Sequence, residues 1–353
     1  MTVLITGGAG FVGSNLAIYL KKNSPDNKIL CLDNLKRRGS ELNLARLKKA
    51  GISFIHGDIR SKEDLNIGTK IDLIIECSAD ASAIAGFGSS PEYVLNTNLI
   101  GTINCLELAR RDKSSFIFLS SSRVYPVEKL EKISYTEEAT KLVLKSNQPY
   151  QGVSGEGISV DFPLEGWRSM YGTAKLASEL IIHEYVAMYD IQAVINRCGV
   201  IAGPWQMGKV DQGVFALWML NHYFKRNLQY IGFNGSGKQV RDILHIDDLS
   251  QLVLIESKIL PELNGKTFNV GGGRQVSLSL LETTSICEEI TGNNVKITPV
   301  KENRPADIPI YISDNKKVIS ATGWSPQKNA KNIMENIFEW ISDNEHIIKQ
   351  TLM

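Results

Sequence analysis

The stretch Thr6-Gly7-Gly8-Ala9-Gly10-Phe11-Val12-Gly13 follows directly on the strand-like Thr2-Val3-Leu4-Ile5. Gly7, Gly10 and Gly13 have the spacing of a tight strand-to-helix turn. Such a turn lets the backbone approach a pyrophosphate and the helix pack closely on its strand. A helix over about residues 11–22 then aims its N-terminal N–H groups and the positive end of its dipole at the turn. Many glycine-rich turns bind nothing, so the place of this one, right after an N-terminal strand, carries the reading.

Beyond the turn, short apolar runs alternate with helical stretches. Strands are predicted at 2–6, 28–32, 52–56, 73–77, 116–120 and 193–197, nearly continuous in apolar residues, as strands covered on both faces are. Segments 42–50, 91–111 and 169–189 have helical length and period. The alternation predicts an α/β fold with a doubly wound parallel (Rossmann) sheet and right-handed crossovers. After about Gly203 the pattern becomes irregular, with glycine turns at 235–237 and 271–273. The predicted division is a dinucleotide-binding domain over 1–203, with 241–262 packing back on it, and a smaller α/β lobe from 204–240 and 263–353. Residues 126–167 form a long polar connection, either a lid or pocket wall or an exposed insertion.

Composition narrows the partners. The net charge is +1, from 39 basic and 38 acidic residues, which argues against nucleic acid or an anionic membrane as the main partner. No apolar run reaches about 18 residues. The five cysteines are scattered without C-x-x-C pairs and read as buried thiols in a reducing compartment, not as a zinc site. With a strand starting at residue 2 there is no room for a signal peptide, and the expected location is the cytoplasm.

Asp33 ends the second predicted strand about twenty residues past the turn. An acid there accepts hydrogen bonds from a ribose 2′-OH and repels a 2′-phosphate, which favours NAD over NADP; a plain turn residue is the alternative. Lys36, Arg37 and Arg38 soften that preference. Tyr171 and Lys175 stand four apart and share one helix face. A phenol is a poor base at neutral pH, but a nearby ammonium stabilises phenolate; lowering the phenol pKa by about 3 takes roughly 4 kcal/mol of such stabilisation. Ser120-Ser121-Ser122 closes the fifth predicted strand, where ligands of open parallel sheets sit, although serines there are also common turn formers. Gly232 to Lys238 nearly spells a phosphate loop, but Gln239 stands where a Ser or Thr is needed. His245 with Asp247 and Asp248 reads as a capped helix start and not a metal site.

Taken together, these motifs resemble the extended short-chain dehydrogenases/reductases of the nucleotide-sugar epimerase/dehydratase group. The resemblance rests on T-G-G-x-G-F-x-G, Asp33-Asn34, His56-Gly57-Asp58-Ile59, Ser121 four before Tyr125, Tyr171-x-x-x-Lys175 and Gln239-Val240-Arg241-Asp242. It implies Ser121, Tyr171 and Lys175 as the catalytic triad, with Tyr171 and Lys175 also contacting the cofactor. Gly7, Gly10, Phe11, Val12 and Gly13 would hold the pyrophosphate of NAD, and Asp33 with Asn34 the ribose. Asp58 and Ile59 would contact adenine, with Ala79 and Asn98 along the groove. Ser121, Ser122, Gln212, Arg241 and Arg304 would contact a nucleotide-diphosphate sugar; a structural salt bridge to Asp242 or Asp307 is the alternative for each arginine. Asp33 through Gly39, Asp211-Gln212-Gly213, Gly237 through Asp242 and Trp324-Ser325-Pro326 resemble the members that invert C2 of a CDP-sugar by transient oxidation to a keto-sugar, rotation and re-reduction. UDP-hexose 4-epimerases are the alternative. Dehydratases, which carry an Asp-Glu pair where Ser122 and Arg123 stand, and non-catalytic NAD-binding proteins fit less well. The group commonly has an asparagine three residues after the arginine of its sixth strand; Val200 stands there. Related members pair as homodimers or dimers of dimers through helices like 98–111 and 169–189.

Overall fold

The computed structural model describes residues 1–208 and 212–352. Seven parallel strands form the central sheet, in the spatial order Lys266–Val270, Ala193–Cys198, Ser115–Ser121, Leu73–Glu76, Thr2–Thr6, Lys28–Asp33, Ser53–His56. Alternation along each strand explains the doubly apolar runs. Val3, Ile5, Ile75 and Ile117 face one core, shared with Leu16 and Leu20 of the helix Phe11–Asn23 and Leu249, Leu252 and Val253 of the helix Ile246–Leu263. Leu4, Ile74, Phe116 and Phe118 face the opposite core, closed by Leu106 of the helix Gly101–Asp112 and Ile182 of the helix Met170–Tyr189. The doubly wound parallel sheet is therefore as the sequence predicts.

One strand differs from expectation. The sequence pattern assigns Lys266–Val270 to the smaller lobe, yet it pairs in parallel with Ala193–Cys198, Asn196 opposite Phe268, and is the seventh strand of the main sheet. Its partner lies about seventy residues earlier, beyond the reach of any local pattern. The rest of the second layer consists of Val200–Ala202, Val240–His245, Ser277–Ser279 and Ile310–Tyr311. A separate core there gathers Phe215, Met219, Ile333 and Ile337. His245 caps the helix Ile246–Leu263, its Nδ1 accepting from the N–H of Asp247 at 3.1 Å, as predicted.

Residues 126–167 are neither a bare loop nor a wall of the main cavity. They form two small hairpins, Tyr135–Glu137 with Leu142–Leu144 and Val153–Ser154 with Gly157–Ile158. The N–H of Leu142 donates to Lys238 O at 3.1 Å and that of Ile158 to Ile312 O at 2.8 Å. Leu130, Leu144, Ile158 and Phe162 pack with Ile310 and Tyr311 in a core of their own.

A buried polar network joins these layers. Arg197 donates to Glu179 at 2.7 Å, with side chains 7% and 2% exposed. Arg197 also donates to the Tyr125 hydroxyl at 3.2 Å, which donates to Asn269 Oδ1 at 2.7 Å; Asn269 Nδ2 reaches Ile158 O at 2.7 Å. Ser120 adds a hydroxyl to Glu179. Removing one partner of a buried ion pair leaves an uncompensated charge. Arg197→Met is therefore expected to lower the unfolding free energy by about 3–5 kcal/mol in a denaturant titration; a loss below about 1 kcal/mol would show that Glu179 finds solvent or another donor.

Candidate active site

The carboxyl ends of the central strands open into a cavity of about 570 Å³, walled by the glycine turn at one side and by Ser121, Ser122 and Tyr171 at another. The turn is set by backbone sterics. Gly7 has φ of +62°, and its carbonyl accepts from Gly10 N–H at 3.0 Å. A Cβ on Gly13 would lie 2.3 Å from Gly7 O, and one on Gly8 2.5 Å from the Cβ of Cys31. Gly8, which the motif spacing does not single out, is thus as constrained as Gly13, because the turn rests on the neighbouring strand. The helix begins at Phe11 with Gly10 as its cap and no capping side chain, and Phe11 and Val12 of its first turn line the cavity. The cradle fits a pyrophosphate.

Asp33 ties that turn to the second strand. Its Oδ2 accepts from Ala9 N–H at 3.1 Å and its Oδ1 from Leu35 N–H at 2.8 Å. Burial pushes its carboxyl up, and these N–H groups pull it back. Asn34 donates to Asp58 Oδ2 at 2.9 Å, and Arg60 pairs with the same carboxylate at 2.6 Å. The Arg60 hydrogen bond holds Asp58 well below the usual carboxylate range. Asp33, Asn34, Asp58, Ile59 and Ala79 all line the cavity.

Asn98 does not; it is fully buried behind the wall. Its side chain clamps Asp80 from both sides, accepting from the N–H at 2.8 Å and donating to the carbonyl at 3.0 Å. It lies in a π-helical turn, Asn96–Ile100, a deformation that proteins keep near functional sites. Its own carbonyl accepts from Ser178 Oγ at 2.9 Å, linking the wall to the helix Met170–Tyr189.

Ser121 and Tyr171 meet through a close backbone approach. Ser121 ends its strand and caps the short turn Ser122–Val124, its Oγ accepting from Arg123 N–H at 3.1 Å. Ser169 caps the next helix, accepting from Gly172 N–H at 3.2 Å. A Cβ on Gly172 would lie 2.1 Å from Arg123 O, so only glycine lets the helix start sit on that turn. Ser121 and Tyr171 are 8% and 7% exposed, and both line the cavity.

Lys175 does not line the cavity; it is buried against the sheet. It is 1% exposed; its Nζ donates to Leu119 O at 3.0 Å and stands 3.7 Å from Glu76 Oε2, over the ring of Phe118. Glu76 is absent from the sequence-predicted site; the available signal is an acid ending the apolar run Leu73-Ile74-Ile75.

Gln212 and Val200 line the cavity, and Asp211 lies outside the described residues. Arg241 is held elsewhere: its guanidinium donates to Asp307 Oδ1 at 2.8 Å and to Ile308 O at 2.6 Å. The carbonyl of Arg304 accepts from Asp307 N–H at 3.2 Å in a backbone turn. Neither arginine lines the cavity. Arg123 does, donating to Ala306 O at 3.0 Å, although in the sequence it stands out only for not being an acid.

A model of the NAD-dependent epimerase/dehydratase family matches residues 3–271. The chain is 31% identical over 351 residues to CDP-paratose 2-epimerase of Salmonella typhi, covering 97% of this chain and 99% of that one. It is 28% identical to a putative UDP-glucose 4-epimerase of Methanocaldococcus jannaschii, over 97% of this chain and 99% of the relative. Its fold superposes on the crystal structure of UDP-glucuronic acid 4-epimerase from Bacillus cereus in complex with UDP-glucuronic acid and NAD, with a TM-score of 0.79, 23% identity and 97% and 99% of the two chains covered. The chain belongs to the NAD-dependent epimerase/dehydratase family of enzymes.

Proposed function

We propose that this enzyme is a nucleotide-sugar epimerase that inverts C2 of a CDP-sugar. The observation that carries the reading is the pairing of Tyr171 with Ser121 on one wall of the cavity that the glycine turn closes, with Ser122 and Arg123 following where a dehydratase needs two acids. The 31% identity to CDP-paratose 2-epimerase along nearly the whole chain supports the CDP-sugar. UDP-hexose 4-epimerisation is the second reading, supported by the relative from Methanocaldococcus jannaschii.

Gly7, Gly10, Phe11, Val12 and Gly13 would hold the NAD pyrophosphate, Asp33 and Asn34 the ribose, and Asp58, Ile59 and Ala79 the adenine end, with Asn98 fixing that wall. Bound NAD supplies a hydride acceptor that is also the donor in the reverse direction. Tyr171, as phenolate, takes the proton from a sugar hydroxyl and gives it back after the sugar has turned over in the cavity. Ser121 holds the same oxygen by a hydrogen bond. Lys175 lies four residues on, its ammonium favouring the phenolate. With Ser122 and Arg123 in place of acid and base, nothing beside the sugar drives loss of water. Ser122 and Gln212 contact the sugar. Arg241 and Arg304 take the diphosphate, for which Arg241 exchanges Asp307 for phosphate oxygens, an exchange that suits a bidentate guanidinium. Val200 leaves the nucleotide end an apolar wall where the group commonly offers an amide.

The same reading makes the protein cytoplasmic, where its five unpaired thiols stay reduced. Among the described residues no helix is long and apolar enough to cross a membrane. It also makes the protein a homodimer, since Leu180 and Met188 of the helix Met170–Tyr189 are 61% and 66% exposed and Ile100 is exposed beside them.

Three outcomes are expected. Incubation with CDP-paratose, followed by NMR of the sugar, shows inversion at C2; absence of C2 inversion across CDP-, UDP-, GDP- and dTDP-sugars overturns the assignment. Tyr171→Phe retains NAD while kcat falls by about 10²–10⁴-fold; unaltered turnover means that another group is the base. Leu180→Glu combined with Met188→Glu elutes as a monomer in size-exclusion chromatography, whereas an unchanged elution volume rejects that face as the dimer contact.

A further inference from the structure

We propose that Glu76 is a positioning residue that anchors the Lys175 side chain through its buried charge, so that the field felt by Tyr171 depends on a residue outside the cavity. The proposal rests on the reading of Tyr171 as the base and extends it to a residue that touches neither cavity nor substrate.

The geometry is specific. Glu76 is fully buried at the end of the strand Leu73–Glu76. Alternation puts it on the face of Ile74, the one covered by the helices Gly101–Asp112 and Met170–Tyr189. Thr6 and Thr102 hydroxyls approach it at 3.5 and 3.4 Å, and Lys175 Nζ at 3.7 Å. An ammonium has three donors. Leu119 O accepts one of them at 3.0 Å, and the Glu76 carboxylate faces the same Nζ from 3.7 Å.

Burial penalises an unpaired charge at either position, and pairing offsets that penalty. Burial pushes the Glu76 carboxyl up, and the Lys175 ammonium pulls it back down. The other ionisable groups near the pair are Cys77 at the exit of the same strand, Cys105 from the helix Gly101–Asp112 and Cys198 from the strand Ala193–Cys198. Burial pushes all three thiols up, which keeps them neutral. Glu179, one helical turn beyond Lys175, is already paired with Arg197. Tyr171 stands one turn before. Among the described residues, Glu76 is therefore the carboxylate that neutralises this lysine.

Glu76→Gln keeps the shape and an acceptor for the hydroxyls but removes the charge. Lys175 then loses its buried counter-charge and the anchor that goes with it, and it favours the Tyr171 phenolate less. The test uses NAD-loaded enzyme and reads the near-ultraviolet phenolate absorbance against pH, as the difference between each protein and its Tyr171→Phe counterpart. The phenolate midpoint rises by about one pH unit or more in Glu76→Gln. The acid limb of kcat rises with it, and kcat at neutral pH falls roughly tenfold or more while KM changes less than about twofold. On a Lys175→Met background the same substitution moves the midpoint by less than about 0.3 of a pH unit, because its effect runs through the lysine. An unmoved or lowered midpoint in Glu76→Gln, or an equal rise without Lys175, overturns the proposal. If Glu76→Gln does not fold, Glu76→Asp carries the test: a carboxylate one methylene farther from Nζ raises the midpoint, and an unchanged midpoint counts against the proposal. The titration needs no sugar. Full turnover by Tyr171→Phe would thus reject the base assignment, while the phenolate midpoint still decides the role of Glu76.

Discussion

Two charged side chains one turn apart, Lys175 and Glu179, are driven from the helix Met170–Tyr189 into the face of the central sheet, and each meets an opposite charge from a different strand. Glu76 answers the lysine and Arg197 the glutamate. Buried pairs of this kind are weak sources of net stability but strong sources of uniqueness where desolvation punishes every mispairing. Here they set the rotation and height of the helix on the sheet. The rotation decides that Tyr171, at the first turn of the same helix, opens to the cavity while Lys175 does not.

The rest of the site depends on that registration. Gly172 removes the side chain that would push the helix off the turn after Ser121. Ser178 reaches the carbonyl of Asn98, whose side chain in turn grips Asp80 and so fixes the Ala79 wall. On the far wall, Asp33 accepts from both the glycine turn and its own exit loop. Backbone and buried polar contacts thus brace both the glycine turn and the walls near Ala79 and Tyr171.

Much of this is legible in one dimension. Six of the seven central strands stand out as doubly apolar runs, because a parallel sheet buries both faces and each strand advertises the fact locally. The glycine turn, Asp33, Ser121 and Tyr171 sit at strand ends or helix starts, and so are recognisable from position. The seventh strand, Lys266–Val270, cannot be assigned to this sheet in the same way, since nothing within its five residues names a partner some seventy positions earlier. The hairpins in 126–167 escape for the same reason: their apolar residues complete a core with Ile310 and Tyr311, far along the chain. Arg241 is visible as a cation, but its bond to Asp307 belongs to the tertiary fold.

By itself the sequence determined the fold class, the place of the dinucleotide turn and the identities of the hydroxyl, phenol and amine in the family motif. These are local matters, set by period, by glycine sterics and by residue chemistry. Only the tertiary structure decided which way those groups face. It opened Tyr171 and Ser121 to the cavity, buried Lys175 against Glu76, and held Arg241 on Asp307. The reason is physical: orientation follows from where buried charges find partners, and those partners lie on strands that only the folded sheet brings side by side.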